Sequence, residues 1–543
     1  MISVMVSILI SLGSLAQAAG LSCERAHWMS NLSQEQIEKR IESLVGLGFQ
    51  IQTKNFASEE QLTQAREYFE NELGHLLAQV PQSRKNFREI WMQAQEKLKN
   101  NHLRKSDQEK KLAEEKAKAW DETEVFNPIK LFEFQHSLNV KGVQISSNGR
   151  YVVSRASDTT AKIYDLQTHM EIAQIQHSRV VTKALFSPDS RYVVTSGEYG
   201  EVKVYDLQTR TEIGNIEFFH LLTNLRISPD SRYVMVASGD EAKIYDLQAR
   251  AEFGVAKHSG KLVSAEFSPN SRYVVTGSQD KMAKIYDLQT RQVIGRIEHK
   301  GMIRKVQFSS DGQFVVTSSE DNVARIYDLQ TQIQIGELVH AGLIWNFDIS
   351  PDSHYVATAS EDRTTAIYDL QNRVEVEKVQ HQYTVRNVEF SPDSRHLLIA
   401  LNDFSAKIYD LQLRKVKETI EHRSPFYKNL FSPDGHYLVT VAGQKAAVKI
   451  YDIKAGKSVG EISHKGEVKS LQFSHDGHLL VTASEDKTAK IYNLQFQGEV
   501  GKIEHAASVT DVRFSPDDRL IVTASDDGTA RVTQLYWKLG REP

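Results

Sequence analysis

The chain has 543 residues, of which 66 are Lys or Arg and 70 are Asp or Glu, so its formal net charge is only −4 at pH 7. This balance, without a basic block in the repeated part of the chain, argues against a nucleic-acid partner, because such partners require clustered positive charge. The only cysteine is Cys23, which excludes an internal disulfide.

Residues 1–19 form an apolar N-terminus without a charged side chain. The apolar run over 2–15 is too short to span a bilayer comfortably, and Ala16-Gln17-Ala18 then supplies a small-x-small cleavage pattern. Together they predict a signal peptide, and hence a periplasmic or secreted protein of a bacterial envelope with no integral membrane segment after cleavage. If the apolar run is not a signal, the protein is cytoplasmic.

Residues 20–124 differ in composition from the rest of the chain. They are rich in helix-forming Glu, Lys, Gln, Ala and Leu, with a capping-box pattern at 33–36 and apolar residues at helical spacing as far as about residue 98. The stretch over 99–118 is highly charged. The segment is therefore predicted to be α-helical and to end in a charged helical linker. Two interpretations remain open, a small bundle with a solvated linker and an element that docks a partner or mediates self-association.

From about residue 125 to the end, one unit of 40 to 42 residues recurs ten times. The unit over 293–329 contains four short runs rich in β-branched and aromatic residues, bounded by turn signals. In most copies the turn between the second and third runs is Ser-Pro-Asp, as at 187–189. A period of this length is typical of propellers and solenoids, whose units need their neighbours to bury their apolar faces. Four antiparallel strands per unit predict a propeller blade.

These repeats resemble the WD40-repeat family of β-propellers from about Lys130 onward. The family's Trp-Asp is Tyr-Asp in eight copies and Tyr492-Asn493 in the ninth, so a phenol replaces the indole. The resemblance implies a tetrad of a His, an Asp, a hydroxyl and an aromatic in each blade. The corresponding His residues are His136, His177, His220, His258, His299, His340, His381, His422, His464 and His505. The corresponding Asp residues are Asp158, Asp240, Asp280, Asp321, Asp362, Asp403, Asp486 and Asp527, whereas copy two has Tyr199 and copy eight has Gln444-Lys445.

The repeated histidines do not predict a metal site. Metal ligands must converge on one point, whereas these residues recur once per blade around a ring. The sequence also contains no phosphate-cradling glycine loop, zinc-helix motif or nucleophile elbow. We therefore expect no metal, no cofactor and no enzymatic activity.

The first strand of the repeat region predicts how the ring closes. Residues 130–136 match the run that begins each later unit, whereas the last unit ends near Leu535 without such a run. The N-terminal strand can therefore complete the last blade, which favours one closed ring of ten blades over 125–543. Because propellers usually have about four to eight blades, two smaller rings or an open spiral remain alternatives.

One position in the innermost strand varies while the framework repeats. In the WD40 family, residues near the start of this strand open onto the face around the central channel, where partners commonly bind. The ten residues are Lys141, Thr182, Thr223, Val263, Arg304, Trp345, Arg386, Tyr427, Lys469 and Thr510. The candidate partner-binding residues are Arg304, Trp345, Arg386, Tyr427 and Lys469, since Arg, Trp and Tyr are enriched in binding hot spots and the cations suit an acidic partner. The alternative is that Trp345 packs between blades and the others reflect drift.

The sequence thus predicts a mainly β protein, a WD40-like propeller preceded by a small α-helical segment. We expect a protein-protein interaction scaffold that binds a protein or peptide on the channel face. The alternatives are an envelope enzyme or glycan-binding protein with its site in the channel, and a structural assembly held by the charged helix. A cluster of carboxylates or histidines outside the tetrad would favour an enzyme, and an Arg/aromatic arc alone would favour binding.

Overall fold

The computed structural model describes residues 128–218, 221–422, 424, 426–443 and 447–535, without the side chains of 426, 427 and 447. All of them belong to the second of two units into which the chain divides, Glu122–Pro543. The predicted signal peptide over 1–19 and the predicted helical segment over 20–124 lie outside the described residues, so both stay predictions. No helix among the described residues has the length and apolar character needed to cross a membrane.

The described residues form forty strands, numbered in chain order, and one 3-10 turn at Glu198–Gly200. Strand β1 is Ile129–Gln135. Blade 1 contains β2 (Val140–Ile145), β3 (Tyr151–Ala156), β4 (Thr160–Asp165) and β5 (Met170–Gln176). Blade 2 contains β6 (Val181–Phe186), β7 (Tyr192–Gly197), β8 (Val202–Asp206) and β9 (Thr211–Ile216). Blade 3 contains β10 (Leu222–Ile227), β11 (Tyr233–Ser238), β12 (Glu241–Asp246) and β13 (Ala251–Lys257). Blade 4 contains β14 (Leu262–Phe267), β15 (Tyr273–Ser278), β16 (Met282–Asp287) and β17 (Gln292–Glu298).

The later blades repeat the same four-strand order. Blade 5 contains β18 (Ile303–Phe308), β19 (Phe314–Ser319), β20 (Val323–Asp328) and β21 (Ile333–Val339). Blade 6 contains β22 (Ile344–Ile349), β23 (Tyr355–Ser360), β24 (Thr364–Asp369) and β25 (Val374–Gln380). Blade 7 contains β26 (Val385–Phe390), β27 (His396–Leu401), β28 (Ser405–Asp410) and β29 (Lys415–Glu421). Blade 8 contains β30 (Phe426–Phe431), β31 (Tyr437–Ala442), β32 (Ala447–Asp452) and β33 (Lys457–Ser463). Blade 9 contains β34 (Val468–Phe473), β35 (Leu479–Ser484), β36 (Thr488–Asn493) and β37 (Gly498–Glu504).

Blade 10 closes the ring with the N-terminal strand, as the sequence predicted. It contains β38 (Val509–Phe514), β39 (Leu520–Ser525) and β40 (Thr529–Gln534), and β1 pairs antiparallel with β40 as its outermost strand. The prediction of ten four-stranded blades is therefore confirmed. The two ends of the described chain share one sheet, and β1 covers the edge that β40 would otherwise leave unpaired.

Apolar side chains between neighbouring blades hold the ring together. The described core divides into ten clusters, each shared by two adjacent blades. One of them joins Val522 and Val532 of blade 10 to Val140 and Val152 of blade 1. Each fully buried Val, Leu or Ile side chain contributes roughly 1.5–3 kcal/mol. Because the last blade packs on the first, the two alternatives of smaller rings and an open spiral are wrong.

The Ser-Pro-Asp turns also join neighbouring blades. In blade 2 the Ser187 hydroxyl donates to Asp189 Oδ1 at 2.5 Å and accepts from the Tyr192 amide at 2.8 Å. The Asp189 amide then donates to Ser231 Oγ of blade 3 at 2.9 Å. Ser231 has a φ of 62°, a left-handed conformation that the turn requires. This explains why the turn residues recur so regularly along the sequence.

Candidate functional site

The predicted tetrad is present in most blades as a buried His between a carboxylate and a hydroxyl. In blade 6, His340 Nδ1 lies 2.9 Å from Asp362 Oδ2 and its Nε2 lies 2.8 Å from Thr358 Oγ1. The same His–Asp contact links five other pairs. They are His136–Asp158, His258–Asp280, His299–Asp321, His464–Asp486 and His505–Asp527. These contacts support the structural role that the sequence predicted for the repeated His and Asp.

Hydrogen bonds and burial set the charge state of the tetrad. Burial alone would raise the pKa of Asp362, but hydrogen bonds from Thr364, the Ala341 amide and His340 outweigh it and lower that pKa to about 2. Burial also lowers the pKa of His340, despite the nearby Asp362. At neutral pH the pair is therefore an ionised carboxylate beside a neutral imidazole.

Two blades depart from the predicted tetrad. In blade 2 the carboxylate comes from Glu201, which lies 3.4 Å from His177 Nδ1, and not from position 199. In blade 7, Asp403 accepts from Ser405 and leaves His381 Nδ1 buried without a partner among the described residues. His381 Nε2 instead bonds to Thr365 of blade 6 at 3.2 Å. The tetrad role implied for Asp403 is therefore wrong, whereas His220 and positions 444–445 lie outside the described residues.

The tyrosine of the repeat does not complete the tetrad. Tyr245 donates its hydroxyl to the Ile213 carbonyl of the preceding blade at 3.0 Å, and Tyr368 does the same to the Ile335 carbonyl at 3.0 Å. The expectation that the phenol takes the place of the tetrad indole is wrong in these blades, because its hydroxyl is used to join one blade to the next.

The variable position of the innermost strand coincides with a backbone irregularity. In every blade the pairing of the first and second strands slips by one residue there, as at Arg304, Trp345 and Arg386. The same slip occurs at the other seven positions. A β-bulge leaves its extra residue outside the ladder and re-aims its side chain. These residues can therefore vary without disturbing the strand pairing, which physically explains why the framework repeats and they do not.

Three of the five candidate residues come together on consecutive blades. The guanidinium carbons of Arg304 and Arg386 lie 5.4 Å and 4.5 Å from the centroid of the Trp345 ring, so the half-buried indole contacts a cation from each flanking blade. The Trp345 indole nitrogen is buried and has no hydrogen-bond partner among the described residues. We call these three side chains the Arg–Trp–Arg cluster. Trp345 thus packs between blades, and the side chains that it contacts there, Arg304 and Arg386, are themselves accessible to solvent.

The bulge cations differ in how far their charge is compensated. Lys469 lies 2.8 Å from Glu467 and 2.7 Å from Glu485, and Arg304 lies 3.6 Å from Glu320. Arg386 is exposed, and its Nε donates to Asn402 at 3.1 Å. Within the described part of the chain, no carboxylate forms an ion pair with Arg386. Among the bulge cations of the described residues, Arg386 is therefore the one without a carboxylate partner.

The remaining two candidates lie outside the cluster. Tyr427 is in β30 of blade 8, and its side chain is outside the described residues. Lys469 is in blade 9 and is held by its two glutamates. The binding role of all five residues stays a prediction.

Acidic side chains near the end of the innermost strand, which were not predicted from the sequence, link neighbouring blades. Glu266 accepts from the Phe308 amide at 2.9 Å and Asp348 from the Phe390 amide at 2.8 Å, each in the next blade. Glu389 bonds to Asn429 of blade 8, and burial and Asp348 raise its pKa to about 7. Their shared position just before the last residue of the innermost strand is the signal that could have revealed them. Each carboxylate thus satisfies a polar group of the neighbouring blade.

No group of three or more His, Cys, Asp or Glu side chains in the described residues is arranged to hold a metal ion.

Comparison with known families identifies the repeats. The family described as WD domain, G-beta repeat matches residues 127–165, 171–206, 254–287, 291–328, 333–369, 375–410, 456–493 and 498–533, more than half of the chain. The unmatched stretches over 207–253 and 411–455 contain the first three strands of blades 3 and 8, and both of these blades form four-stranded sheets. No curated protein matches the chain.

Proposed function

Since the chain belongs to the WD40-repeat family, whose propellers commonly act as protein-interaction scaffolds, we propose that this protein binds a protein or peptide through the Arg–Trp–Arg cluster on its channel face. The observation that carries this proposal is the Trp345 ring held between Arg304 and Arg386 at bulge positions of three consecutive blades. Trp and Arg are the residue types that most often dominate binding energy at protein interfaces.

The partner in this proposal is acidic. Arg386 already lies over the Trp345 ring, so its position is partly fixed before binding and less side-chain entropy is lost on association. Its charge is not neutralised by a carboxylate of the described residues, so a partner carboxylate can form a bidentate ion pair with it. Lys469 adds less, because Glu467 and Glu485 already neutralise it.

A role without catalysis is part of the proposal. Three carboxylates near the ends of the innermost strands are engaged with the next blade, Glu266 and Asp348 with backbone amides and Glu389 with a side-chain amide. Engaged in this way, the carboxylates hold the innermost strands together, and this structural use supports a role without catalysis. Export to a bacterial envelope, proposed from residues 1–19, places the partner in the same compartment.

Affinity capture with matched variants tests the proposal. The Trp345→Ala/Arg386→Ala double variant should lose a partner that the wild type captures from envelope extract. The control is the Thr223→Ala/Val263→Ala double variant, which changes the same bulge position in blades 3 and 4 and should retain the partner. Circular dichroism checks that each variant folds. Equal capture by both double variants would contradict the proposed site, and a partner found only in cytosolic extract would contradict the proposed compartment.

A further inference from the structure

Blade 7 lacks the hydroxyl that holds the tetrad histidine inside most other blades. Its second strand has Ile399 where blade 6 has Thr358, so this strand offers no hydroxyl to His381. His381 Nε2 bonds instead to Thr365 of blade 6 at 3.2 Å, and the other nine blades have Ala or Val at the position of Thr365. His381 is therefore held by the neighbouring blade and forms no hydrogen bond with Asp403 among the described residues.

One carboxylate oxygen of Asp403 consequently has no partner. In blade 6, Asp362 Oδ2 accepts from His340 at 2.9 Å and from the Ala341 amide at 2.9 Å. In blade 7, Asp403 Oδ1 accepts from the amide and the hydroxyl of Ser405 at 3.1 Å and 2.7 Å, but Oδ2 accepts from no described residue. The oxygen that accepts two N–H groups in blade 6 is therefore free to accept them from a ligand in blade 7.

Lys407 is a second group of blade 7 without a partner. Its equivalents in blades 1, 4 and 8 each donate to a backbone carbonyl in the outermost strand of the preceding blade, at 2.6–2.8 Å. They are Lys162, Lys284 and Lys449. Lys407 is half-buried and forms neither a hydrogen bond nor an ion pair with a described residue. A cation that is partly removed from water without a partner costs free energy, which a bound anionic group would offset.

A single cavity of about 410 Å³ in blade 7 is lined by both of these groups. Asp403, Lys407 and Glu421 line it, together with Tyr383, whose side chain is exposed. In the described part of the chain no ion pair joins Lys407 to either carboxylate, so opposite charges face the same space without contact. The volume lies within the range of small-ligand sites, about 300–1,000 Å³. We call this space the blade 7 cavity.

We propose that the blade 7 cavity binds a free α-amino acid through its ammonium and carboxylate groups. The ammonium offers three N–H donors, which suit the free oxygen of Asp403 and the carboxylate of Glu421. The ligand carboxylate accepts from Lys407, which no described residue neutralises. A metal ion fits less well, because the described His, Cys, Asp and Glu side chains form no convergent group of three or more. One zwitterion thus satisfies both groups that lack a partner.

Calorimetric titration of the full-length protein at neutral pH and low ionic strength tests this site. The probes are L-leucine, L-glutamine and L-phenylalanine, which share the zwitterion and differ in the side chain. At least one of them should bind. The N-acetyl derivative and the amide of that amino acid each lack one charge and should bind at least about tenfold more weakly. Binding of none of the three probes, or equal binding of both derivatives, overturns the proposal.

Charge-removing variants assign the binding to blade 7. Asp403→Asn and Lys407→Met each remove one charge with little change in size and should weaken binding of the active probe at least about tenfold. The matched control, Lys284→Met, changes the same position in blade 4, where the ammonium bonds to the Lys257 carbonyl, and should bind like the wild type. Thermal denaturation checks that each variant folds. Unchanged affinity in both blade 7 variants, or an equal loss in Lys284→Met, overturns the proposal.

Restoring the usual tetrad of blade 7 provides an independent test. The Ile399→Thr/Thr365→Ala double variant gives His381 a hydroxyl in its own blade and removes the one in blade 6, so the imidazole should bond to Asp403 as in the regular blades. Affinity for the active probe should then fall at least about tenfold, although the residues that line the cavity are unchanged. Undiminished affinity would overturn the claim that the free oxygen of Asp403 binds the ligand.

Discussion

Blades 6 and 7 are neighbours with similar sequences and different internal chemistry. In blade 6, His340 contacts both Asp362 and Thr358, and the Tyr368 hydroxyl bonds back to blade 5. In blade 7, Ile399 occupies the place of Thr358, and His381 has no contact with Asp403. Both nevertheless form complete four-stranded sheets with buried cores. The comparison teaches that apolar packing between blades makes the fold, and that the tetrad adds stability to a blade that already forms.

The largest loss of stability in blade 6 is therefore expected from a large-to-small substitution in its apolar core. Phe347 is fully buried in the cluster shared by blades 5 and 6. Phe347→Ala should lower the free energy of unfolding by about 3–5 kcal/mol, because it leaves a cavity in a packed junction. Urea denaturation measures the effect. Val388→Ala, at the same position in blade 7, removes less volume and should cost less.

The contribution of the tetrad carboxylate to stability can be tested by making the same Asp→Ala substitution in each of the two blades. Asp362→Ala leaves the buried His340 without its carboxylate and should cost about 1–3 kcal/mol. Asp403→Ala removes a carboxylate that does not contact its histidine, so its cost in urea denaturation should be smaller than that of Asp362→Ala. Equal losses would show that the contact between His340 and Asp362 contributes nothing to stability.

Acidification should protonate His381 of blade 7 and Asp362 of blade 6 in different pH ranges. Burial and Lys407 lower the pKa of His381 to about 4, so its contribution is complete above the unfolded value of about 6.5 and is lost as pH falls toward 4. The pKa of Asp362 is about 2, so its contribution is lost only as pH falls from about 4 toward 2. His381→Gln should thus reduce the loss of stability between pH 7 and 4, and Asp362→Asn should not. Urea midpoints at several pH values measure both.

The smallest expected effect concerns the tyrosine hydroxyls at the junctions. Tyr368→Phe removes a hydrogen bond to the Ile335 carbonyl and should cost about 0.5–1.5 kcal/mol. Tyr451→Phe removes a buried hydroxyl that makes no backbone hydrogen bond among the described residues, so its cost should be smaller than that of Tyr368→Phe. Thermal denaturation of the two variants compares them directly. A similar loss in both would mean that the Tyr451 hydroxyl is bonded in solution.

The repeat pattern was sufficient to predict the strands, the ten blades and the closing strand at the N-terminus, because each depends on local patterning and on a spacing that recurs. Other features could not be predicted from a single repeat. Glu201 supplies a carboxylate from two residues beyond the expected position, and Tyr368 bonds across a junction. The first depends on the path of the loop at the 3-10 turn Glu198–Gly200, and the second depends on how neighbouring blades approach each other; a repeat alone encodes neither.

For the candidate binding residues, the sequence was sufficient to locate the variable position but not to predict the contacts made there. The sequence located the variable position, but it could not show that a β-bulge lies there or that Trp345 contacts the cations on both sides. Nor could it separate Arg386 from Lys469, since both are basic. That distinction depends on Glu467 and Glu485, which reach Lys469, and on Asn402, which bonds to Arg386.

The most direct test of the account compares those two cations in binding to the partner that the wild type captures. The dissociation constant should rise at least about tenfold in Arg386→Gln, because an uncompensated cation at the cluster is lost. It should change little in Lys469→Gln, because that charge is already paired with two glutamates. Unchanged affinity in Arg386→Gln, or a larger loss in Lys469→Gln, would contradict the claim that the Arg–Trp–Arg cluster binds the partner.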